Sequence, residues 1–249
     1  MKLFGHQLLY FPEIDSTNRE AWRMVQKGDL EEGTIVRAGF QSLGRGQGST
    51  RWESEKGKNL CVSVVIKPVF LSPDKQFYLN KAIALSVREA VKGLLPDASV
   101  MIKWPNDVYI GNRKVAGILI ENAIRGSRLE HSIAGIGINI NQRRFDPTLP
   151  NPVSIAQVAG RDQDIEKCLD HLCSSLDHWY GLLASADREG LNLAYLEALL
   201  GYGEKRTYLS RGHQFKARVA GISPHGKLIL DMEGGRQLEF DMKEVSMLF

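Results

Sequence analysis

The chain has 249 residues, 43% of them hydrophobic and 24% charged, and 32 Lys and Arg stand against 29 Asp and Glu for a net charge of +3. At roughly 150 residues per domain this length suits one or two domains with a sizeable core, and the ordinary composition excludes a disordered or fibrous chain. A nucleic-acid coat needs a far more basic balance. Cys61, Cys168 and Cys173 form no CxxC pair, which fits a reducing cytosolic compartment better than secretion. Met1–Gln7 has neither the apolar core nor the cleavage site of a signal peptide. No run approaches the ~18 apolar residues of a membrane span.

In chain order, 8–11 reads as a short strand. Asp15-Ser16-Thr17-Asn18 then offers helix-capping side chains, and Thr17 with Glu20 has capping-box spacing. A helix follows through Lys27, and Gly28 can end it. A strand over 34–40 leads into residues 41–58, rich in Gly, Ser, Arg and Lys, a loop long enough to suggest a lid or binding element. Strand 60–66 precedes Ser72-Pro73-Asp74, a helix start. Leu79, Ile83, Val87, Ala90, Val91 and Leu94 then recur at helical spacing. A strand over 100–104, a hairpin of 108–110 with 114–121 turning at Gly111-Asn112, and a strand over 132–141 follow. Ile165, Leu169, Leu172, Leu176, Trp179 and Leu183 trace a strongly amphipathic helix, and a second helix covers roughly 191–200. After Gly201 the pattern changes to short strands at 207–209, 215–222, 227–231, 237–240 and 245–249. The expected division is therefore 1–200 and 201–249, the second unit too small for a deep core of its own.

Several stretches carry residues suited to chemistry. In strand 132–141, period two sets Ala134, Ile136, Ile138 and Ile140 on one face and Ile133, Gly135, Gly137, Asn139 and Asn141 on the other. The glycines leave room for a ligand or for a close-packed helix. Gly44-Arg45-Gly46-Gln47-Gly48 is an anion-binding nest with a cation inside it, or a solvated loop. It is neither a P-loop nor a dinucleotide fingerprint. Lys103-Trp104-Pro105-Asn106-Asp107, with Lys114 one hairpin later, places two lysines and an aspartate on neighbouring strand ends. That set suits a polyanion with Mg²⁺, or is a surface turn with a weak Lys–Asp pair. Trp52 is a lid anchor, a stacking platform or simple packing. The histidines show no metal-ligand spacing, Cys61 reads as core, and no G-x-S-x-G is present.

Together these motifs are specific. Asp15-Ser16-Thr17-Asn18, Gln41-Ser42-Leu43-Gly44-Arg45-Gly46, Lys103-Trp104-Pro105-Asn106-Asp107, Arg113-Lys114-Val115-Ala116-Gly117-Ile118-Leu119 and Gly135-Ile136-Gly137-Ile138-Asn139 occur in this order. The chain resembles the biotin protein ligases over nearly its full length. The resemblance implies an α+β fold: a catalytic domain like that of class II aminoacyl-tRNA synthetases, a mixed sheet with helices, followed by a small SH3-like β-barrel. It implies formation of biotinyl-5′-AMP from biotin and Mg-ATP, then transfer of the acyl group to a lysine of a biotin carboxyl carrier protein. By motif match Ser16, Thr17 and Gln41 serve the biotin ring system, and Gly117 and Leu119 line its pocket. Trp52, Asn106 and Asn139 lie near adenine, while Asn18, Gly44, Gly46 and Gln47 complete the biotin and nucleotide contacts. Arg45, Lys103 and Lys114 are the catalytic cations, with Lys114 bridging biotin carbonyl and phosphate. Asp107 joins them as a catalytic residue and Mg²⁺ ligand. The chemistry asks for these types independently: a carboxylate must approach a charged α-phosphate, so cations must offset the repulsion.

The family often carries a second Arg in its loop, at the position of Gln47 here, and Gly48-Ser49-Thr50-Arg51 lacks the usual basic density. Both departures bear on retention of the adenylate. Only fifteen residues precede Ser16, so no helix-turn-helix and no sequence-specific DNA binding are expected. A lipoate or octanoate ligase and a non-catalytic biotin sensor are the rival readings. An edge of the main sheet suits pairing into a homodimer or docking of the carrier by strand addition. Arg236 and Lys243 are candidate reaches from the C-terminal unit into the site.

Overall fold

The computed structural model describes residues 2–48, 50–185 and 187–249; Met1, Ser49 in the Gly-rich loop and Ala186 lie outside the described residues. Its first sheet comprises β1 (Leu8–Phe11), β2 (Ile35–Ala38), β3 (Leu60–Ile66), β4 (Val100–Lys103), β5 (Asp107–Ile110), β6 (Arg113–Arg125) and β7 (Arg128–Ile138). The spatial order is β1-β2-β3-β7-β6-β5-β4. β1 and β2 run parallel and the remaining pairs antiparallel, so the sheet is mixed. The helices are α1 (Thr17–Lys27), α2 (Gln76–Leu94), α3 (Ile155–Ala159), α4 (Ile165–Ala184) and α5 (Arg188–Glu197).

The alternation along the central strands decides which helix covers which face. Val62, Val64, Ala134, Ile136 and Ile138 belong to the large core that α2 and α4 close with Ile83, Val87, Leu172 and Leu176. Val65 and Ile133 point the other way and meet Ala21 of α1 together with Val36 and Leu30. Each buried aliphatic side chain contributes about 1.5–3 kcal/mol, so this face-by-face sorting fixes the register strongly. α1 has eleven residues, and Gly135 and Gly137 lie on the face it packs against. That geometry leaves the far end of the face for a site.

Several boundaries differ from expectation. Ser16 is the N-cap of α1 and makes no side-chain cap bond. The Thr17–Glu20 capping box is absent because the Thr17 hydroxyl donates to Gln41 and the Glu20 carboxylate accepts from Arg23. Gly28 does end α1, with φ +79°. The hairpin of β5 with β6 turns at Gly111-Asn112 as expected, but β6 runs on to Arg125 and forms a second hairpin with β7. α3 was not foreseen; Ser154 and Gln157 form its capping box. The described residues of the Gly-rich stretch, 44–48 and 50–52, are not an open loop, because Trp52 N donates to Gly44 O at 3.1 Å and Gly46 N to Thr50 O at 2.9 Å, making a small ribbon.

The second sheet comprises β8 (Arg206–Ser210), β9 (His213–Ile222), β10 (Leu228–Met232), β11 (Gln237–Phe240) and β12 (Ser246–Met247), all antiparallel, in the order β11-β10-β9-β8-β12. Leu199 bridges to Ile102 of the first sheet and Tyr202 to Val219 of the second, so the chain passes between them at 200–201. The three cysteines are free and buried, and burial pushes the Cys61 thiol up. Among the described residues no helix is long and apolar enough to cross a membrane.

One buried charge has a measurable consequence. Lys81 of α2 is 5% exposed. It donates to Asn192 Oδ1 at 2.6 Å and lies over the rings of Phe77, Tyr78 and Tyr195. Burial brings its pKa down to about 8, so the unfolded chain holds its proton to higher pH than the fold does. The charging penalty is fully present below pH 8 and is relieved as pH rises from there toward the ordinary lysine range. We expect Lys81 to add stability between pH 8 and 9.5, with a total effect on the order of 3 kcal/mol at most. Denaturant titration across that range should show the rise in wild type and not in Lys81→Met; parallel profiles would refute it.

Candidate active site

The N-terminus of α1 carries a polar network. Ser16, Thr17 and Asn18 are nearly fully buried. Thr17 donates its backbone N–H (2.8 Å) and its hydroxyl (3.1 Å) to Gln41 Oε1. The hydroxyl of Ser63, on β3, lies 2.7 Å from Thr17 Oγ1 and 2.6 Å from Asn18 Oδ1, so its one proton serves either. Asn18 Nδ2 donates to Glu121 Oε2 at 2.8 Å, and Glu121 Oε1 receives Arg45 at 2.8 Å. The chain of contacts thus runs from Gln41 through α1 to Arg45 of the ribbon. A satisfied network of this kind holds its members in one arrangement.

The glycines of β7 make room for two groups at once. A Cβ on Gly135 would collide with the Asn18 amide, and one on Gly137 with the Trp52 indole. Gly117 of β6 is equally constrained: its Cβ would stand 3.1 Å from the Trp52 ring and 3.2 Å from Lys114 Nζ. Trp52 therefore lies flat over two glycines on adjacent strands. Its indole N–H is buried without an acceptor, as is the side-chain oxygen of Asn139 without a donor. Asn139 spends its amide N–H on Val153 O. Both orphaned atoms belong to residues that line one cavity, and a bound ligand would satisfy them.

That cavity has a volume of about 360 Å³, within the range of small-molecule sites. It gathers Ser16, Thr17, Asn18, Gln41, Arg45, Gly46, Gln47, Trp52, Asn106, Asp107, Lys114, Gly117, Leu119 and Asn139 of the sequence candidates. Its charged lining is Arg45, Arg51, Lys114 and Lys243 against Glu53 and Asp107, an excess of cations that suits an anionic ligand. Lys114 Nζ pairs with Asp107 Oδ1 at 2.7 Å. Asn106 Nδ2 donates to Ile118 O at 3.0 Å, which ties the turn after β4 to β6.

Two candidates stand elsewhere. Lys103 does not line the cavity: its ammonium lies over the rings of Tyr109 and Phe249, 5.3 and 4.9 Å from their centroids. Burial there lowers its pKa, with Asp107 opposing and Lys114 adding to the fall. The pleat sets Lys103 on the same face as its cross-strand partner Asp107, but from the edge strand β4 its ammonium turns to the two rings and does not reach the cavity. Gly44 is also outside the lining, and the Gly-rich stretch is no free anion nest, because the Gly46 N–H is already donated to Thr50. Of the two C-terminal candidates Lys243 reaches the cavity and Arg236 does not. Lys243 has φ +71°, a left-handed conformation that costs a lysine about 1 kcal/mol or more.

Several lining residues were not foreseen. Phe145, Leu149, Pro150 and Pro152 close one side, and their irregular stretch offers no periodic signal. Glu121, which holds Asn18 and Arg45 without lining the cavity, was also missed; its period-two spacing from Gly117 and Leu119 on β6 is the signal that could have found it. Asp107 is a single carboxylate with one oxygen on Lys114, and among the described residues no group of three His, Cys, Asp or Glu could hold a metal. A single carboxylate of this kind would offer a divalent cation one oxygen contact.

The profile of the Biotin/lipoate A/B protein ligase family matches residues 10–139. A "Bifunctional ligase/repressor BirA" of Bacillus spizizenii is 30% identical over 94% of this chain and 72% of its own length. The "Biotin--[acetyl-CoA-carboxylase] ligase" of Paracoccus denitrificans is 31% identical over 90% of this chain and 94% of its own. Among solved structures, a biotin protein ligase from Aquifex aeolicus in complex with biotin and ATP superposes with a TM-score of 0.80 at 25% identity, covering 98% of this chain and 99% of that one.

Proposed function

Since the chain belongs to the Biotin/lipoate A/B protein ligase family, we propose that it is a biotin–[biotin carboxyl-carrier protein] ligase working in two steps. A biotin carboxylate oxygen attacks the α-phosphorus of ATP, the bond to the β-phosphate oxygen breaks, and pyrophosphate leaves. The Nζ of a carrier lysine then attacks the acyl carbon of biotinyl-5′-AMP, losing a proton as AMP departs. The observation that carries this reading is the shared cavity. It has a buried hydrogen-bonding network at the α1 end, four cations, and a tryptophan lying flat over two glycines.

The residues divide accordingly. Ser16, Thr17, Asn18 and Gln41 recognise the ureido ring, a neutral group that needs a few well-placed hydrogen bonds. Gly117 and Leu119 wall its apolar side. Trp52, Asn106 and Asn139 take the adenine, the indole by stacking and Asn139 through its unpaired oxygen. Lys114 stands at the junction, offsetting carboxylate–phosphate repulsion and stabilising the charge on the crowded phosphorus. Arg45 and Lys243 extend that field along the triphosphate, and Lys103 acts from behind the wall as a charge without contact. Asp107 would hold the Mg²⁺ that accompanies ATP through one carboxylate oxygen, and the ion would offset part of the phosphate charge. The attacking amine arrives on the partner, so the enzyme needs no nucleophile. The ribbon 44–52 covers a mixed anhydride that water would hydrolyse. In fold terms we infer kinship of the first sheet with class II synthetases and of the second with SH3-like barrels.

The test is ATP–pyrophosphate exchange with biotin, with lipoate and with neither. Exchange with biotin alone is expected, followed by labelling of a carrier domain. Exchange with lipoate alone would move the assignment to lipoylation, and folded protein that binds biotin without exchange would be a sensor.

Gln47 bears on retention of the intermediate. Its Nε2 lies 3.1 Å from Met242 Sδ, a weak contact to the second sheet. Gln47→Arg places a cation on the cavity wall, and a charge-assisted bond to phosphate should slow biotinyl-AMP dissociation about tenfold. An unchanged off-rate in a filter-binding chase would overturn this.

A further inference from the structure

The turn between β4 and β5 is held from behind by two helices. Pro105, which lines the cavity, follows a cis Trp104–Pro105 peptide. Its carbonyl oxygen accepts two hydrogen bonds: the Tyr195 hydroxyl of α5 at 2.6 Å and Asn80 Nδ2 of α2 at 3.0 Å. Tyr195 is completely buried and Asn80 is 9% exposed. Neither residue lines the cavity. The same two helices meet one position along: Lys81, next to Asn80, donates to Asn192, three residues before Tyr195. A buried phenol and a buried amide converging on one carbonyl amount to a built clamp, since each polar group would be costly there without a partner.

What the clamp holds is the phosphate side of the site. Asn106 follows directly and donates to Ile118 O; Asp107 comes next and pairs with Lys114 at 2.7 Å. The α1 network around Ser16, Thr17 and Gln41 has no contact with Pro105 in its hydrogen bonding. We propose that Asn80 and Tyr195 are positioning residues for the nucleotide half of the reaction, setting through the Pro105 carbonyl where Asn106 and Asp107 stand opposite Lys114. The proposal rests on the ligase reading and goes beyond it by separating the two substrate halves. A small displacement of reacting or charge-stabilising groups is enough to slow such a step by one to two orders of magnitude.

Tyr195→Phe removes one donor without changing the packed volume, and Asn80→Leu removes the other. Each should lower kcat for biotin-dependent exchange about tenfold and raise KM for ATP. The Kd for biotin, measured by calorimetry without ATP, should stay within twofold. Because both act on one oxygen, the double variant should lose less than the product of the single losses. Wild-type exchange in either folded variant overturns the proposal. So does a parallel loss of biotin affinity and exchange, the signature of general loosening. Wild-type activity tests the ligase reading separately. If wild type shows no exchange, that reading falls and ATP affinity by calorimetry decides the clamp: weaker binding in both variants supports it, and unchanged binding overturns it.

Discussion

Replacing Lys114 with alanine is expected to lower biotin-dependent ATP–pyrophosphate exchange by about 10²- to 10³-fold, the cost of losing one donor that stabilises developing charge. Two features make the effect large. The ammonium stands beside Gly117 on the cavity wall, and its partner Asp107 would be left as an unpaired carboxylate facing the phosphates. The fold itself should barely notice. Both side chains of the pair are 31% exposed, and such a pair contributes about 0–1 kcal/mol. The double variant Lys114→Ala with Asp107→Ala should unfold at the same denaturant midpoint as wild type and remain slow in exchange. Loss of less than tenfold in the single variant, measured with saturating biotin, would remove Lys114 from the phosphate centre.

Gly137→Val should separate stability from activity. Valine favours a strand more than glycine does, and Gly137 lies inside β7 with neighbours on both sides. Yet its Cβ would enter the Trp52 indole, so the ring must leave the floor of the cavity. We expect a midpoint of denaturation equal to or above wild type, a shifted tryptophan emission, and exchange reduced about 10²-fold through lost adenine stacking and misplacement. A variant that stays active with unshifted emission would show that Trp52 has room to adjust and that the glycine is not there for the ring.

How much of this was legible depends on where each determinant lies. The two-sided character of β7 follows from alternation alone, and its glycines pointed to close approach. The apolar spacing of α4 is likewise local, as is the run Lys103-Trp104-Pro105-Asn106-Asp107. What stayed hidden depends on partners distant in the chain. Lys103 is spaced like a site residue and shares a face with Asp107, but its ammonium lies over Tyr109 and Phe249, the second of them the last residue of the chain. Pairing with β7 extends β6 through Asn122, Ala123 and Ile124, a half-buried to exposed stretch in which apolar and polar residues do not alternate. The ribbon at 44–52 closes through backbone bonds that any residues can make. Lys243 reaches the cavity from the turn between β11 and β12 of the second sheet, and the Pro105 clamp joins residues 25 and 90 apart in sequence.

The ribbon also sets the kind of kinetics the enzyme can show. Gly44 and Trp52 are bonded across it, Gly46 and Thr50 likewise, and Arg45 is pinned to Glu121. A segment tied internally in this way has no reason to melt residue by residue. We expect it to move as one flap when the Arg45–Glu121 pair and the seat of Trp52 on Gly117 and Gly137 let go. Release of the adenylate should then follow a single exponential whose rate rises with salt, because screening weakens an exposed ion pair. A disordered lid would instead give a spread of rates and little salt dependence.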